Sequence, residues 1–246
     1  MKTQTITRNG FDKWRDGLDS AVGDARWDIW DCDIKHAVNE YNRHLAGTTG
    51  YVHLDWRFIK AMLWVETGAH SADWKIKPMR IGVAGDLGLH ALLAGNEGGD
   101  LIVPRAFKNS LSMAAVTTIA VHNIRAGIGY LLMRLATYEH RSVIAPDSKV
   151  YEVIVKAGDN MEKIARTHGS TIDVLKNRNP TAHLLRPGQT LKYQKAMIKQ
   201  VIKGWRQLST ALIANRYNGG RDQLYGTKLD YALSLLQKRK AVLCAQ

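Results

Sequence analysis

Tyr151-Glu-Val-Ile-Val-Lys-Ala-Gly158-Asp159-Asn160, then Ile164-Ala165, Leu175, Asn179-Pro180 and Leu185-Arg-Pro187-Gly188-Gln189-Thr190-Leu191, spell out a complete small fold in order. Tyr151, Val153 and Val155 alternate with polar residues, as a half-buried strand requires. Ala157-Gly158-Asp159 is turn chemistry, and Asp159 or Asn160 can cap the helix that follows. Met161, Ile164, Ala165 and His168 recur at helical spacing, and Gly169 suits the helix end. A second short helix is expected from about Thr171 to Arg178, stopping before Pro180 because a pre-proline residue disfavours helix. Leu185 to Gln189 then turns into a last strand with Leu191 and Tyr193.

In that order these residues resemble a LysM domain, a βααβ unit. The resemblance implies binding to N-acetylglucosamine-containing chains of peptidoglycan or chitin. It points to Gly158, Asp159, Asn160 and Asn179 as the glycan-contacting positions. The module is expected over residues 149–194, inserted between helical sequence at 1–148 and at 195–246.

The flanks read as helix. Ile29, Cys32, His36 and Val38 fall on one side of a segment from Asp28 to Leu45. Phe58, Ile59, Met62, Leu63 and Val65 mark another from Asp55 to Thr67, with Asp55 as N-cap. The Gly-rich stretch 68–99 reads as a long structured loop, and such loops are more often functional than not. Leu111, Ala114, Val116, Ile119, Ile124, Ile128, Leu131 and Leu135 predict long helical structure over 110–138, the most apolar part of the chain. Met197, Val201, Trp205, Leu208, Ala211 and Leu212 predict a further amphipathic helix, and Leu229, Leu233 and Leu236 a last one. The expected fold class is mainly α: one helical domain interrupted by the small βααβ module. Loop insertions of this kind cost little entropy.

Glu66 closes the apolar helix in Trp64-Val65-Glu66-Thr67-Gly68-Ala69. A carboxylate there is open to partial desolvation, which raises its pKa and suits a general acid. On its own, a solvated or capping glutamate is the commoner reading. Three later segments add weight: Gly85-Asp86-Leu87-Gly88-Leu89-His90-Ala91-Leu92, Asn123-Ile-Arg-Ala-Gly-Ile-Gly-Tyr130-Leu131, and Ala214-Asn-Arg-Tyr217-Asn218-Gly-Gly220. Together with Glu66 they resemble the lysozyme-like superfamily of lytic transglycosylases and goose-type lysozymes, over residues 55–138 and about 205–236.

The resemblance implies Glu66 as the catalytic acid and Thr67 in the place of the family's serine. Gly88 and Leu89 match the start of a Gly-Leu-Met-Gln motif, whose last two residues are here His90 and Ala91. Asn123 and Tyr130 match the family's helix motif, with Tyr130 implied as a substrate contact, and Tyr217 and Asn218 match its Tyr-Asn pair lining the cleft, with the Tyr217 hydroxyl implied near the catalytic carboxyl. Core hydrogen bonding is the equal alternative for Asn123 and Tyr130. The reaction implied is cleavage of the β-1,4 bond from N-acetylmuramic acid to N-acetylglucosamine. Glycosidases generally use a second carboxylate, whereas lytic transglycosylases let the sugar's own 6-hydroxyl attack and form an anhydro product. Asp86 is the best candidate for orienting a water in a hydrolytic variant, against the plainer reading of a turn aspartate bonding its own backbone. The alternatives to a transglycosylase are therefore a hydrolytic muramidase of phage-endolysin type and a non-catalytic peptidoglycan-binding protein.

The net charge is +13, and residues 196–246 hold nine Lys or Arg against two Asp or Glu. Such a face suits nucleic acid, anionic lipid or an anionic polymer. No nucleic-acid motif is present, so peptidoglycan is the expected partner. His36, His44, His53, His70, His90, His122 and His140 are scattered without ligand-like spacing, and neither a metal nor a cofactor is expected. Cys32 and Cys244 can pair or remain two buried thiols, and free thiols are the expectation. The first 33 residues are laced with charge and lack a signal-peptide core. No apolar run approaches the ~20 residues of a membrane span. The sequence reading therefore expects a protein made without a signal peptide that acts in the periplasm or wall of a target bacterium. It would travel there as an antibacterial effector, with a cognate immunity protein in the producing cell.

Overall fold

The structure is a computed structural model that describes residues 10–21, 23–146, 149–239 and Cys244. The first nine residues of the N-terminal segment and the boundary at 148 lie outside the described residues. In chain order the helices before the module are α1 (Gly10–Asp19), α2 (Asp31–Leu45), α3 (Trp56–Glu66), α4 (Gly88–Ala94), α5 (Gly99–Ile102), α6 (Arg105–Lys108), α7 (Met113–Thr118) and α8 (Ala120–Leu135). Strands β1 (Ala136–Ile144) and β2 (Tyr151–Ile154) precede α9 (Met161–Thr167) and α10 (Ile172–Arg178). Strands β3 (Thr190–Tyr193) and β4 (Ala196–Trp205) precede α11 (Thr210–Arg216) and α12 (Tyr225–Gln237). The protein is mainly α. Two two-stranded sheets, β1–β4 and β2–β3, make up its described β structure.

Two compact units result: Met1–Thr137 with Ile202–Gln246, and Tyr138–Val201. The second is wider than the 149–194 read from the sequence, because strands β1 and β4 flank the module and pair with each other.

The helical unit is built on α3. The Asp55 side chain accepts from the Arg57 amide and caps it, a contact worth about 1 kcal/mol. Ile59, Met62, Leu63 and Trp64 are then fully buried, each apolar side chain contributing ~1.5–3 kcal/mol. Helix α12 packs against α3, presenting Tyr225, Leu229, Ala232 and Leu236 inward. Helix α2 lies against α8, and the Tyr41 hydroxyl donates to the Arg125 carbonyl of α8 at 2.8 Å.

The expected long helix over 110–138 is broken. Ile119 is extended (φ −122°, ψ 114°), separating α7 from α8. Val116-Thr117-Thr118-Ile119 is a β-branched run, poor at helix. The Val116 carbonyl accepts from the Asn123 side chain. The helix expected from Met197 to Leu212 is also corrected: residues 196–205 are strand β4, and helix begins only at Thr210, capped by Ser209. Pairing with β1 decides it, since Ile198, Val201 and Ile202 favour strand and Gly204 weakens helix. At the root of this ribbon the Thr137 hydroxyl donates to the Gly204 carbonyl at 3.0 Å. The loop 68–99 is not bare either, holding a 3-10 turn at Ala72–Lys75 and helix α4.

The free-thiol expectation is overturned. Cys32 and Cys244 form a disulfide, with Cα atoms 5.5 Å apart. Arg239 makes a two-pronged ion pair with Asp28 on the same side of the sequence join. The Asp28 carboxylate also accepts from Lys60, a buried ammonium paired with Asp31 as well. Arg239 and Cys244 are thus tied to the segment 28–32 leading into α2, one by an ion pair and the other by a disulfide.

In the second unit β2 and β3 pair antiparallel with Tyr151 opposite Tyr193. Val155, Ile164, Ala165, Leu175, Ala182 and Leu191 form its core. Helix α9 ends with Gly169 at φ 61°, and the Ser170 amide reaches back to the Ala165 carbonyl at 2.8 Å, a Schellman closure.

Candidate functional site

In the helical unit, Glu66, Asp86, Tyr130, Tyr217 and Asn218 line one small solvent-open pocket of ≈ 80 Å³ with Met79, Arg80, Ile81, Val83 and Arg221. Four separate stretches of chain meet there. Glu66 arrives because it ends α3, whose preceding turn is anchored in the core. Asn123, wholly buried, fixes the opposite wall: its Oδ1 accepts from the Met79 amide at 2.9 Å, and its Nδ2 donates to the Ile81 and Val116 carbonyls, both at 3.0 Å. The core-hydrogen-bond alternative for Asn123 is the one that describes its geometry.

The Glu66 side chain is half-buried, and its carboxyl accepts from the Tyr225 hydroxyl at 2.7 Å. Burial pushes its pKa above the ordinary carboxylate value, and the Tyr225 bond and Arg80 charge only partly offset this. The hydroxyl at the carboxyl is therefore that of Tyr225, a residue the sequence reading passed over. It starts α12, four residues before Leu229 on the same buried face. The Tyr217 hydroxyl, expected near Glu66, is close enough to feel its charge but donates its hydrogen bond to the Met79 carbonyl at 3.0 Å. Burial holds both phenols well above their ordinary pKa, so both stay protonated donors.

Asp86 occupies the pocket wall, but both its oxygens are engaged. One accepts from the Gly82 amide at 2.7 Å and the other from the Gly88 amide at 2.8 Å. This is the geometry of a turn aspartate organising its own loop. Gly88 lies against the Tyr130 ring, where an added Cβ would come within 2.9 Å of Cζ. Tyr130 in turn meets Tyr217 edge-on, ring centroids 5.5 Å apart. Asn218 accepts from the Asp222 amide at 2.8 Å, shaping the 218–222 turn.

Two expected contacts are placed elsewhere. Leu89 is fully buried in the core and cannot touch a ligand in the pocket, because α4 turns its first apolar residue inward. The Thr67 hydroxyl sits between the Leu63 and Pro78 carbonyls at 3.2 and 3.0 Å, joining the end of α3 to the 78–82 segment. Among the described residues no cluster of His, Cys, Asp or Glu could hold a metal ion. No described helix is long and apolar enough to cross a membrane.

In the second unit the four expected glycan positions divide in the same way. Gly158 turns at φ 80° with open space around it. Asp159 accepts from the Lys156 amide and pairs with Lys163, and those bonds, the amide first, hold its pKa below the ordinary value. Asn160 caps α9 through the Lys163 amide. Asn179 donates to the Leu175 and Lys192 carbonyls and accepts from the Lys192 amide, tying α10 to β3. These three side chains shape the loops on either side of the sheet.

No curated protein and no solved structure matches the chain. The LysM domain model matches residues 153–193, the stretch that runs from within β2 through α9 and α10 to the end of β3. Residues 153–193 are thus a LysM domain, a module that binds peptidoglycan.

Proposed function

We propose that the chain cuts the glycan strands of peptidoglycan, with Glu66 as general acid and the LysM domain holding the enzyme on its insoluble substrate. The observation that carries this reading is the half-buried Glu66 carboxyl, on the wall of an open pocket, bonded to Tyr225 and held toward its protonated form. A carboxyl held that way is suited to deliver a proton to a glycosidic oxygen. After bond cleavage the Tyr225 bond stabilises the carboxylate left behind.

Glu66 then takes the proton of the attacking hydroxyl. The muramyl 6-hydroxyl is the nucleophile in this reading, giving 1,6-anhydro ends, because both oxygens of Asp86 are already engaged by backbone amides. Glu66→Gln should lower clearing of purified peptidoglycan by ~10²–10⁴-fold while the protein still sediments with it. Near-normal clearing by that variant refutes the assignment. Reducing ends in borohydride-treated digests would make the reaction hydrolytic instead.

We further place the site of action outside the cytoplasm, in the periplasm or wall of a target bacterium. The Cys32–Cys244 disulfide supports this, since such bonds persist in oxidising compartments. We propose as the role there an antibacterial effector guarded by an immunity protein in the producer. Expression directed to a bacterial periplasm should lyse cells, and expression kept in the cytoplasm should not.

A further inference from the structure

Two arginines, Arg80 and Arg221, line the Glu66 pocket, and both are exposed. Arg80 stands in an unusual backbone state. With φ 49° it is the one non-glycine residue at positive φ among the described residues. That region is disfavoured for any residue with a Cβ and persists only where the surroundings impose it.

The surroundings here are specific. Met79 is held on both sides: its amide donates to Asn123 and its carbonyl accepts from Tyr217. Ile81 is held too, its carbonyl accepting from Asn123. With residues 79 and 81 both turned into the core, Arg80 must turn outward, its Nη1 3.4 Å from the Glu66 carbonyl.

The pocket's own carboxylates do not engage these guanidiniums. Asp86 is bonded to the Gly82 and Gly88 amides, and Glu66 to Tyr225. Asp222 pairs with Lys228. Asp73 approaches Arg80 only to 3.9 Å, and among the described residues no ion pair engages Arg221. The Arg221 guanidinium is left open in this way, and Arg80 is held only by the Glu66 carbonyl and the long approach of Asp73; a planar guanidinium matches a carboxylate with two parallel hydrogen bonds.

We propose that Arg80 and Arg221 recognise a carboxylate carried by the glycan, so that the pocket selects acid-substituted saccharides over neutral N-acetylglucosamine polymers. This rests on the reading of the Glu66 pocket as the glycan-cleaving centre. Arg80 and Arg221 are specificity residues in it, and the bond-breaking step remains with Glu66.

The test is calorimetric titration of the full chain carrying Glu66→Gln. One ligand is a peptide-bearing muramyl tetrasaccharide and the other the neutral N-acetylglucosamine tetramer. Arg80→Gly is the variant of choice, because glycine keeps the positive φ and the loop folds without the side chain. Arg221→Ala is the second. Each should weaken the acidic ligand about tenfold, more at low salt than at high, while the neutral ligand shifts by less than about twofold. Equal loss for both ligands, or none for either, overturns the proposal. Cleavage separates it from the reading beneath it. A wild type that cuts neither polymer, yet loses acidic-ligand affinity with Arg80→Gly, would defeat the proposed chemistry and leave the recognition intact. A wild type that cuts both polymers equally, unchanged by Arg80→Gly, would defeat the recognition alone.

Discussion

The two units use polar side chains in opposite ways. In the LysM domain Asp159, Asn160, Thr171 and Asn179 all bond backbone within a few residues or, for Asn179, between the end of α10 and the neighbouring β3. Its fold is local, and each loop is closed by its own neighbours. In the helical unit the informative polar groups join distant chain. Asn123 holds residues 79 and 81, Tyr217 holds residue 79, and Tyr225 reaches Glu66 across 159 positions. A unit of the first kind can be read from one stretch of sequence. A unit of the second kind places its chemistry only when the whole helical core is assembled.

The sharpest way to test that contrast is to collapse one unit and watch the other. Leu175 is fully buried at the centre of the small LysM core. Leu175→Ala should cost about 3 kcal/mol, close to everything a unit of this size holds. Scanning calorimetry should then lose a low-temperature transition while the helical unit melts as before. Sedimentation with insoluble peptidoglycan should disappear, and cleavage of short soluble fragments should survive. A single transition that falls as a whole would erase the distinction drawn between the units.

A smaller effect is expected from the helical side. Asn123→Ala leaves the Met79 amide and the Ile81 and Val116 carbonyls without their partner in a dry interior. The expected loss is about 2–3 kcal/mol. It should be accompanied by a rise in KM, because the wall carrying Arg80 loses its anchor. Chemical denaturation and steady-state kinetics read the two effects separately. Stability lost with KM unchanged would make Asn123 a core residue only.

The same contrast explains which parts were legible in advance. The LysM domain was readable because alternation at 151–155, turn residues and caps occur in sequence order. Helices α2, α3 and α12 were readable from their apolar stripes. The strand β4 was not, because Met197, Val201 and Trp205 also fit a helical spacing and only pairing with β1 selects the extended form. Leu89 was misplaced because a motif match fixes a position along the chain and says nothing about which way α4 faces. Tyr225 was missed for a related reason. Reading the last helix by its leucines alone stopped the stripe at Leu229, though one more step back lands on a tyrosine whose buried hydroxyl needs a partner. The disulfide depended on where the chain end lies, which no local pattern records.

Tyr225→Phe makes the smallest change, removing one hydroxyl from the pocket, and its signs are set by the Glu66 environment. Burial raises the Glu66 pKa and the Tyr225 hydrogen bond lowers it. Removing the bond should therefore raise the pKa further. A general acid works below its pKa, so the alkaline limb of the turnover profile should move to higher pH. Turnover at the optimum should still fall, by about tenfold, because the carboxylate formed after proton transfer loses its donor. Stability follows the same proton. A carboxyl whose folded pKa lies above its unfolded value contributes fully at pH below the unfolded value, and that contribution is lost as pH rises through the folded one. The melting temperature of Tyr225→Phe should accordingly start to decline at the same pH as that of the wild type, set by the unfolded carboxyl, and go on declining to higher pH. A limb that stays in place or moves to lower pH would mean that Tyr225 packs beside Glu66 without tuning it, and the long-range tie would then be structural in the same sense as those of the LysM domain.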